Sequence, residues 1–188
     1  VSTQSTGINK MNQKQQKAKD LHQDSELIVQ SDLVEIEQKN KTGLFIDMPK
    51  LIADGQYLIC SKLTDEKCMQ IQGNSHLPRA NLINVSIDKN QCQYFIVETN
   101  DNGVSIKSAI SNLPLGVKEN QKQAAVEQLK DQVQYWRLIN TKDGYMIQHI
   151  ISNLVMQLDD EDPSEGTKIV LNKQNKGEHQ IWSFIPKK

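Results

Sequence analysis

Gln134-Tyr135-Trp136, followed by Asp143-Gly144 and then Ile151-Ser152-Asn153-Leu154, repeats a pattern met 41 residues earlier. There it reads Gln93-Tyr94-Phe95, Asn102-Gly103, Ile110-Ser111-Asn112-Leu113. Gln180-Ile181-Trp182 carries the leading triplet a third time, 46 residues after the second copy. A supersecondary unit recurring at such a period is too small to bury a core alone, so its copies must share one.

Around these triplets, from Asp54-Gly55 onward, short alternating apolar runs are separated by turn residues at roughly the spacing of an all-β domain. The first copy reads as strands at Gln56–Cys60, Lys67–Ile71 and Leu82–Val85, with Gln91–Phe95 leading into a fourth. The second reads as Val104–Ile106, Leu113–Val117, Ala124–Val126 and Tyr135-Trp136, and the third as Tyr145–Ile147, Leu154–Leu158, Ile169–Leu171 and Ile181–Phe184. Residues 121–132, rich in Ala, Gln, Glu and Lys, have a helical composition, but the repeat requires a strand and a loop there. Phe95, Trp136 and Trp182 fall at equivalent positions, so a pseudo-threefold axis brings three large rings to the centre of a small closed barrel. Gln93, Gln134 and Gln180 then read as buried hydrogen-bonding elements of the fold, because an interior amide needs partners.

The expected organisation is an N-terminal extension or arm over residues 1–50 and a β domain over residues 51–188. Residues 1–24 are polar and of low complexity, and contain little to offset the entropy of ordering. They are expected to lie on a protein partner or to pack back on their own domain. Basic and acidic residues nearly balance, 22 against 23, so nothing marks a nucleic-acid partner or a membrane surface. No apolar run reaches the roughly 18 residues a membrane span needs. The compartment stays open between intracellular and secreted. Cys60, Cys68 and Cys92 are too few for a disulfide framework; free thiols are the first reading, and a Cys60–Cys68 bridge across a hairpin the alternative. Asn40 and Asn84 head glycosylation sequons that in an Asn-rich chain carry little weight.

The three Gln-x-(Trp/Phe) motifs resemble those of the ricin B-chain-like β-trefoil lectins. So do Lys67-Cys68-Met69-Gln70-Ile71, similar to that family's Lys-Cys-Leu-Asp-Val, and Glu165–Leu171 leading to Gln180-Ile181-Trp182. The resemblance covers residues 54–186. It implies an all-β fold, a β-trefoil of six barrel strands capped by three hairpins, with no catalysis, no cofactor and up to three shallow sugar pockets. In such a pocket a second-strand carboxylate takes sugar hydroxyls, an aromatic after the third strand stacks on the ring, and an Asn precedes the motif Gln.

Carried onto this chain by the repeat, those positions are Gln70, Ser86 and Cys92 in the first copy and Gly116, Glu127 and Val133 in the second. In the third they are Gln157, Asn172 and His179. The carboxylate and the stacking aromatic are missing throughout. The third copy keeps the most polar character, so Gln157, Asn172 and His179 form the candidate ligand pocket, with Lys173 or Gln174 beside it. Tyr57, Tyr94, Tyr135 and Tyr145 are the remaining candidates for exposed stacking surfaces, Tyr94 and Tyr135 pointing outward together.

Asp159–Asp162 and Glu165 concentrate oxygen ligands but lack the spacing of a calcium loop, and read as a solvated acidic face. The four His have no ligand companions at metal-binding spacing, and no nucleophile motif or phosphate loop occurs. The expectation is a non-catalytic interaction module with degenerate sugar pockets, held in a larger assembly through residues 1–50. The alternative is a carbohydrate-binding lectin that uses an altered third-repeat pocket; a β-trefoil protease inhibitor acting through its loops stands third.

Overall fold

In the computed structural model the described residues are 51–64 and 66–188. The expectations for residues 1–50, the arm among them, lie outside these. Twelve strands occur among the described residues: β1 (Gly55–Ser61), β2 (Lys67–Ile71), β3 (Leu82–Ser86), β4 (Tyr94–Asn100), β5 (Gly103–Ser108), β6 (Leu115–Gly116), β7 (Glu127–Gln128), β8 (Trp136–Thr141), β9 (Gly144–His149), β10 (Val155–Leu158), β11 (Ile169–Asn172) and β12 (Trp182–Pro186). The helical composition of residues 121–132 is overridden: that stretch holds β7, and Ala125 bridges to Val170 on β11.

Six strands form a closed ring of antiparallel neighbours, β1 with β4, β4 with β5, β5 with β8, β8 with β9, β9 with β12 and β12 with β1. Closure leaves the barrel without an unpaired edge. The other six make three hairpins, β2–β3, β6–β7 and β10–β11. Bridges Asn81 to Glu127, Ala125 to Val170 and Ile83 to Lys168 join each hairpin to the other two. This is the β-trefoil that the repeat implies.

Phe95, Trp136 and Trp182 are fully buried members of one cluster, surrounded by threefold-related aliphatics such as Ile59, Ile106 and Ile147. Opposite the three rings across the ladder stand Ser108, His149 and Ser61, all buried. Tyr57, expected on the surface, belongs to this core as well; its ring meets Phe184 edge-on at 5.9 Å.

The repeated turns have local causes. In Ile-Ser-Asn-Leu the Asn adopts a left-handed φ, 58° at Asn112 and 57° at Asn153. The Ser hydroxyl before it accepts from the Leu amide, at 3.2 Å for Leu113 and 3.4 Å for Leu154. Gly103 and Gly144 are required for another reason: a Cβ there would lie 2.9 Å from the Trp136 carbonyl and 2.6 Å from that of Trp182. Cys60 and Cys68 are paired across β1 and β2 and joined by a disulfide, which overturns the first reading of three free thiols. Only residues eight apart that meet across a ladder can be bridged so locally, and the hairpin brings them there. Cys92 is a free thiol whose pKa is pushed up by burial and by the Asp88 carboxylate. The Asn84 side chain is buried, so this sequon is closed to modification in the folded domain.

Candidate functional site

The three Gln-x-aromatic segments sit at the rims of the three hairpins, and each motif Gln is buried. Gln93 Oε1 accepts from the amides of Asp88 (3.0 Å) and Lys89 (2.9 Å), and its Nε2 donates to the Ser86 carbonyl (2.7 Å). Gln180 repeats this arrangement: Oε1 accepts from the Asn175 amide, and Nε2 donates to the Lys173 carbonyl, both at 2.8 Å. Gln134 departs from it. Both ends of its amide bond the backbone of one residue, Val117, at 2.8 and 2.7 Å. The loop length explains the difference. Asn84 to Gln93 and Leu171 to Gln180 each span nine positions, whereas Gln128 to Gln134 spans six, leaving too short a loop to wrap the amide.

The pocket positions behave differently in each copy. In the first, Gln70 donates to Asn74 Oδ1 at 3.0 Å. Ser86 is held from outside its repeat: its amide and hydroxyl both donate to the Glu165 carboxylate, the hydroxyl at 2.9 Å. In the second, Gly116 leaves no room for any side chain, since a Cβ would stand 2.4 Å from Leu129 Cδ1 and 2.6 Å from Gln134 Oε1. The second pocket is filled by its own repeat. In the third, Gln157 is buried and its Oε1 accepts from Gln180 Nε2 at 2.9 Å. His179 is buried too, with Nε2 3.4 Å from Glu161 Oε1 and 3.2 Å from Asn175 Nδ2. Asn172, half-buried at the end of β11, accepts from the Lys173 amide at 2.8 Å.

Strand pairing also corrects the register of the third-strand positions. Asn172 pairs with Val155. The residues so placed in the other copies are Val85, paired with Cys68, and Leu129, whose amide donates to the Pro114 carbonyl. They replace Ser86 and Glu127. None is aromatic, so the stacking platform is missing by geometry as well as by sequence.

The family follows from the closed barrel, the three hairpins and the three buried Gln-aromatic pairs, together with the match of residues 56–182 to the model described as ricin-type beta-trefoil lectin domain. The chain belongs to that family. Structures of similar fold include the Rhizoctonia solani agglutinin, with a TM-score of 0.68 at 16 % identity over 74 % of this chain and 99 % of that one. The Macrolepiota procera ricin B-like lectin in complex with lactose has a TM-score of 0.65 at 17 % identity over 73 % of this chain and 100 % of that one. The designed 3-fold symmetric protein ThreeFoil has a TM-score of 0.65 at 21 % identity over 71 % of this chain and 100 % of that one. No curated protein matches the chain. A ricin B-like β-trefoil domain is typically a carbohydrate-binding domain.

In this ricin B-like domain the acidic segment is engaged by its own fold. Glu165 caps Ser86, Glu161 faces His179, and Asp162 Oδ1 accepts from the Ser164 amide at 2.8 Å. The Ser164 hydrogen bonds hold the Asp162 carboxyl below the usual carboxylate range. Among the described residues no group of three or more His, Cys, Asp or Glu is placed to hold a metal ion, and no helix is long and apolar enough to cross a membrane. Sequence reasoning missed the Glu165–Ser86 contact, which joins segments 79 residues apart and has no local signal.

Proposed function

We propose that this domain is a non-catalytic recognition module whose inherited sugar pockets have degenerated and whose partner is another protein, with residues 1–50 as the arm that holds it in a larger assembly. One observation carries the reading: at all three pockets the groups that would meet a sugar are already bonded or packed within the domain. Gln70, Gln157, Asn172 and His179 have internal partners, and the space at Gly116 is filled. A sugar hydroxyl would have to displace these bonds, and a typical exchange of one hydrogen bond for another yields only about 1 kcal/mol. No aromatic face is there to add stacking energy.

Titration with lactose and with N-acetylgalactosamine, followed by backbone NMR, tests the pockets. The expected outcome is no saturable shift at Gln157, Asn172 or His179 at millimolar sugar. The arm is tested by comparing cross-linked complexes of the full chain with those of residues 51–188; a complex that survives the truncation would overturn it.

Carbohydrate binding at the third repeat is the second reading. It is favoured by the family, and by the polar chain Gln157–Gln180 with His179 and the half-exposed Asn172 at its rim. Sugar-dependent shifts at these residues, lost in Gln157→Ala or His179→Ala, would establish it in place of the first.

A further inference from the structure

The residue between the motif Gln and the core aromatic is Tyr94 in the first repeat, Tyr135 in the second and Ile181 in the third. The geometry around Tyr135 and Ile181 is the same. A Cβ on Gly103 would lie 3.4 Å from Tyr135 Cβ, and one on Gly144 would lie 3.2 Å from Ile181 Cγ2, so both hairpins press on this residue from the same side. What differs is the closure. Tyr135 reaches outward until its hydroxyl accepts from Asn100 Nδ2, at 3.5 Å, on the β4–β5 hairpin. Lys187 Nζ covers the Tyr94 ring, 4.7 Å from its centroid, and donates to Gln91 and Gln56.

Ile181 ends short of that reach. The space is a cleft of about 380 Å³ between the tip of the β8–β9 hairpin and the loop around Gln174 and Lys176. Its floor is apolar, with Ile139, Met146 and Ile181. Its rim carries Lys142 and Lys176, both exposed, with Asp143 as the single carboxylate among the lining residues. The volume is in the range of small-ligand clefts, roughly 300–1,000 Å³.

We propose that this cleft binds a small aromatic acid, whose ring occupies the place filled by a tyrosine ring in the other two repeats and whose anionic group lies between Lys142 and Lys176. The symmetry supplies the argument for a ring: the same hairpin backbone already holds one at Tyr135, and Tyr94 puts a second ring at the equivalent position of the first repeat. Met146 suits it, because a thioether adapts to irregular shapes and makes favourable contacts with aromatic edges. Two ammonium groups against one carboxylate leave the rim net positive, which favours an anion over a neutral or cationic ring. Gln174 stands beside the third sugar pocket too, but Gln157, Asn172 and His179 do not line this cleft, and the site does not depend on how the pockets' function is read.

The probes are 4-hydroxyphenylacetate, with ring and carboxylate, and p-cresol, with the ring alone, added to the full chain labelled at methionine methyls. Both should shift the Met146 methyl saturably, the acid binding roughly threefold or more tighter, as exposed ion pairs allow. Ile181→Tyr restores the residue of the other repeats and should abolish both responses while the chain stays folded. Lys142→Gln with Lys176→Gln should bring the acid down to the affinity of p-cresol and leave p-cresol unchanged; this exposed pair keeps the test open if Ile181→Tyr misfolds. Absence of any Met146 shift at tens of millimolar, or equal binding by Ile181→Tyr, would overturn the site. An acid that binds no tighter than p-cresol, or equally well without the two lysines, would overturn its anionic half.

Discussion

The second and third repeats begin from the same triplet and the same turns, yet they use their motif residues in different ways. Gln180 clamps the loop before it and also holds Gln157. Gln134, with three fewer residues between it and the paired strand, turns instead to Val117, fills the space above Gly116 and closes its own pocket. Trp182 donates its indole N–H to the Met156 carbonyl at 3.2 Å, whereas the buried indole nitrogen of Trp136 has no partner among the described residues. The difference teaches that a pseudo-threefold core constrains the rings and the backbone turns but leaves the rim free to diverge. Deletions in the loops are absorbed by rotating one amide.

The largest effect expected from breaking this contrast comes at the pocket floor. Gly116→Asp would return the family's carboxylate to the second repeat, but into space held by Leu129 and Gln134. Overpacking alone costs about 1–3 kcal/mol, and a buried unpaired carboxylate adds to it, so chemical denaturation should show a domain largely unfolded. Gln157→Ala at the equivalent third-repeat position removes one acceptor of Gln180 Nε2, which keeps the Lys173 carbonyl, and should lose only about 1 kcal/mol.

A smaller difference separates the motif glutamines. Gln180→Ala frees the partly buried Asn175 amide and Lys173 carbonyl and the buried Gln157 oxygen, and should destabilise by roughly 2–3 kcal/mol. Gln134→Ala frees the polar groups of one residue and should lose roughly 1–2 kcal/mol by the same measurement. Equal losses would show that the two amides do the same work despite their different partners.

The smallest effect is a pH dependence confined to the boundary between these repeats. His149 packs against Trp136 with ring centroids 5.2 Å apart and the rings tilted by 54°. Its Nδ1 lies 3.0 Å from Ser152 Oγ, and its Nε2 has no partner among the described residues. Burial pushes its pKa below the ordinary 6.5. The unfolded chain therefore takes up the proton first, so stability is complete above pH 6.5 and falls as the pH drops through 6.5 toward the lowered folded value. His149→Ser places there the residue found at the equivalent Ser108, and should flatten that slope in thermal melts between pH 7.5 and 5.

The barrel and its centre are legible in the chain because they repeat. Three copies of Gln-x-aromatic, in phase with Asn/Asp-Gly and Ser-Asn-Leu turns, specify a shared interior, and each copy corroborates the others. The candidate site is much less legible. Gln157, Asn172 and His179 can be named from spacing, but their partners, Gln180, Lys173, Glu161 and Asn175, come from loop conformation. The short β6–β7 hairpin shifts the register, so counting positions led to Glu127 where pairing leads to Leu129. Tyr57 reads as a surface residue because its strand alternates weakly; closure of β1 onto β12 puts Phe184 against it.

From its residues alone this protein is a threefold β domain with three converging rings and no acidic sugar grip at the expected positions, since periodicity and residue type are written in one dimension. Only the tertiary structure decided which polar groups are already occupied, that Cys60 meets Cys68, that Glu165 reaches Ser86 from another repeat, and that a cleft opens beside Ile181. These depend on distances in space between segments, most of them far apart in the chain, set by how hairpins and loops of unequal length pack around a common axis.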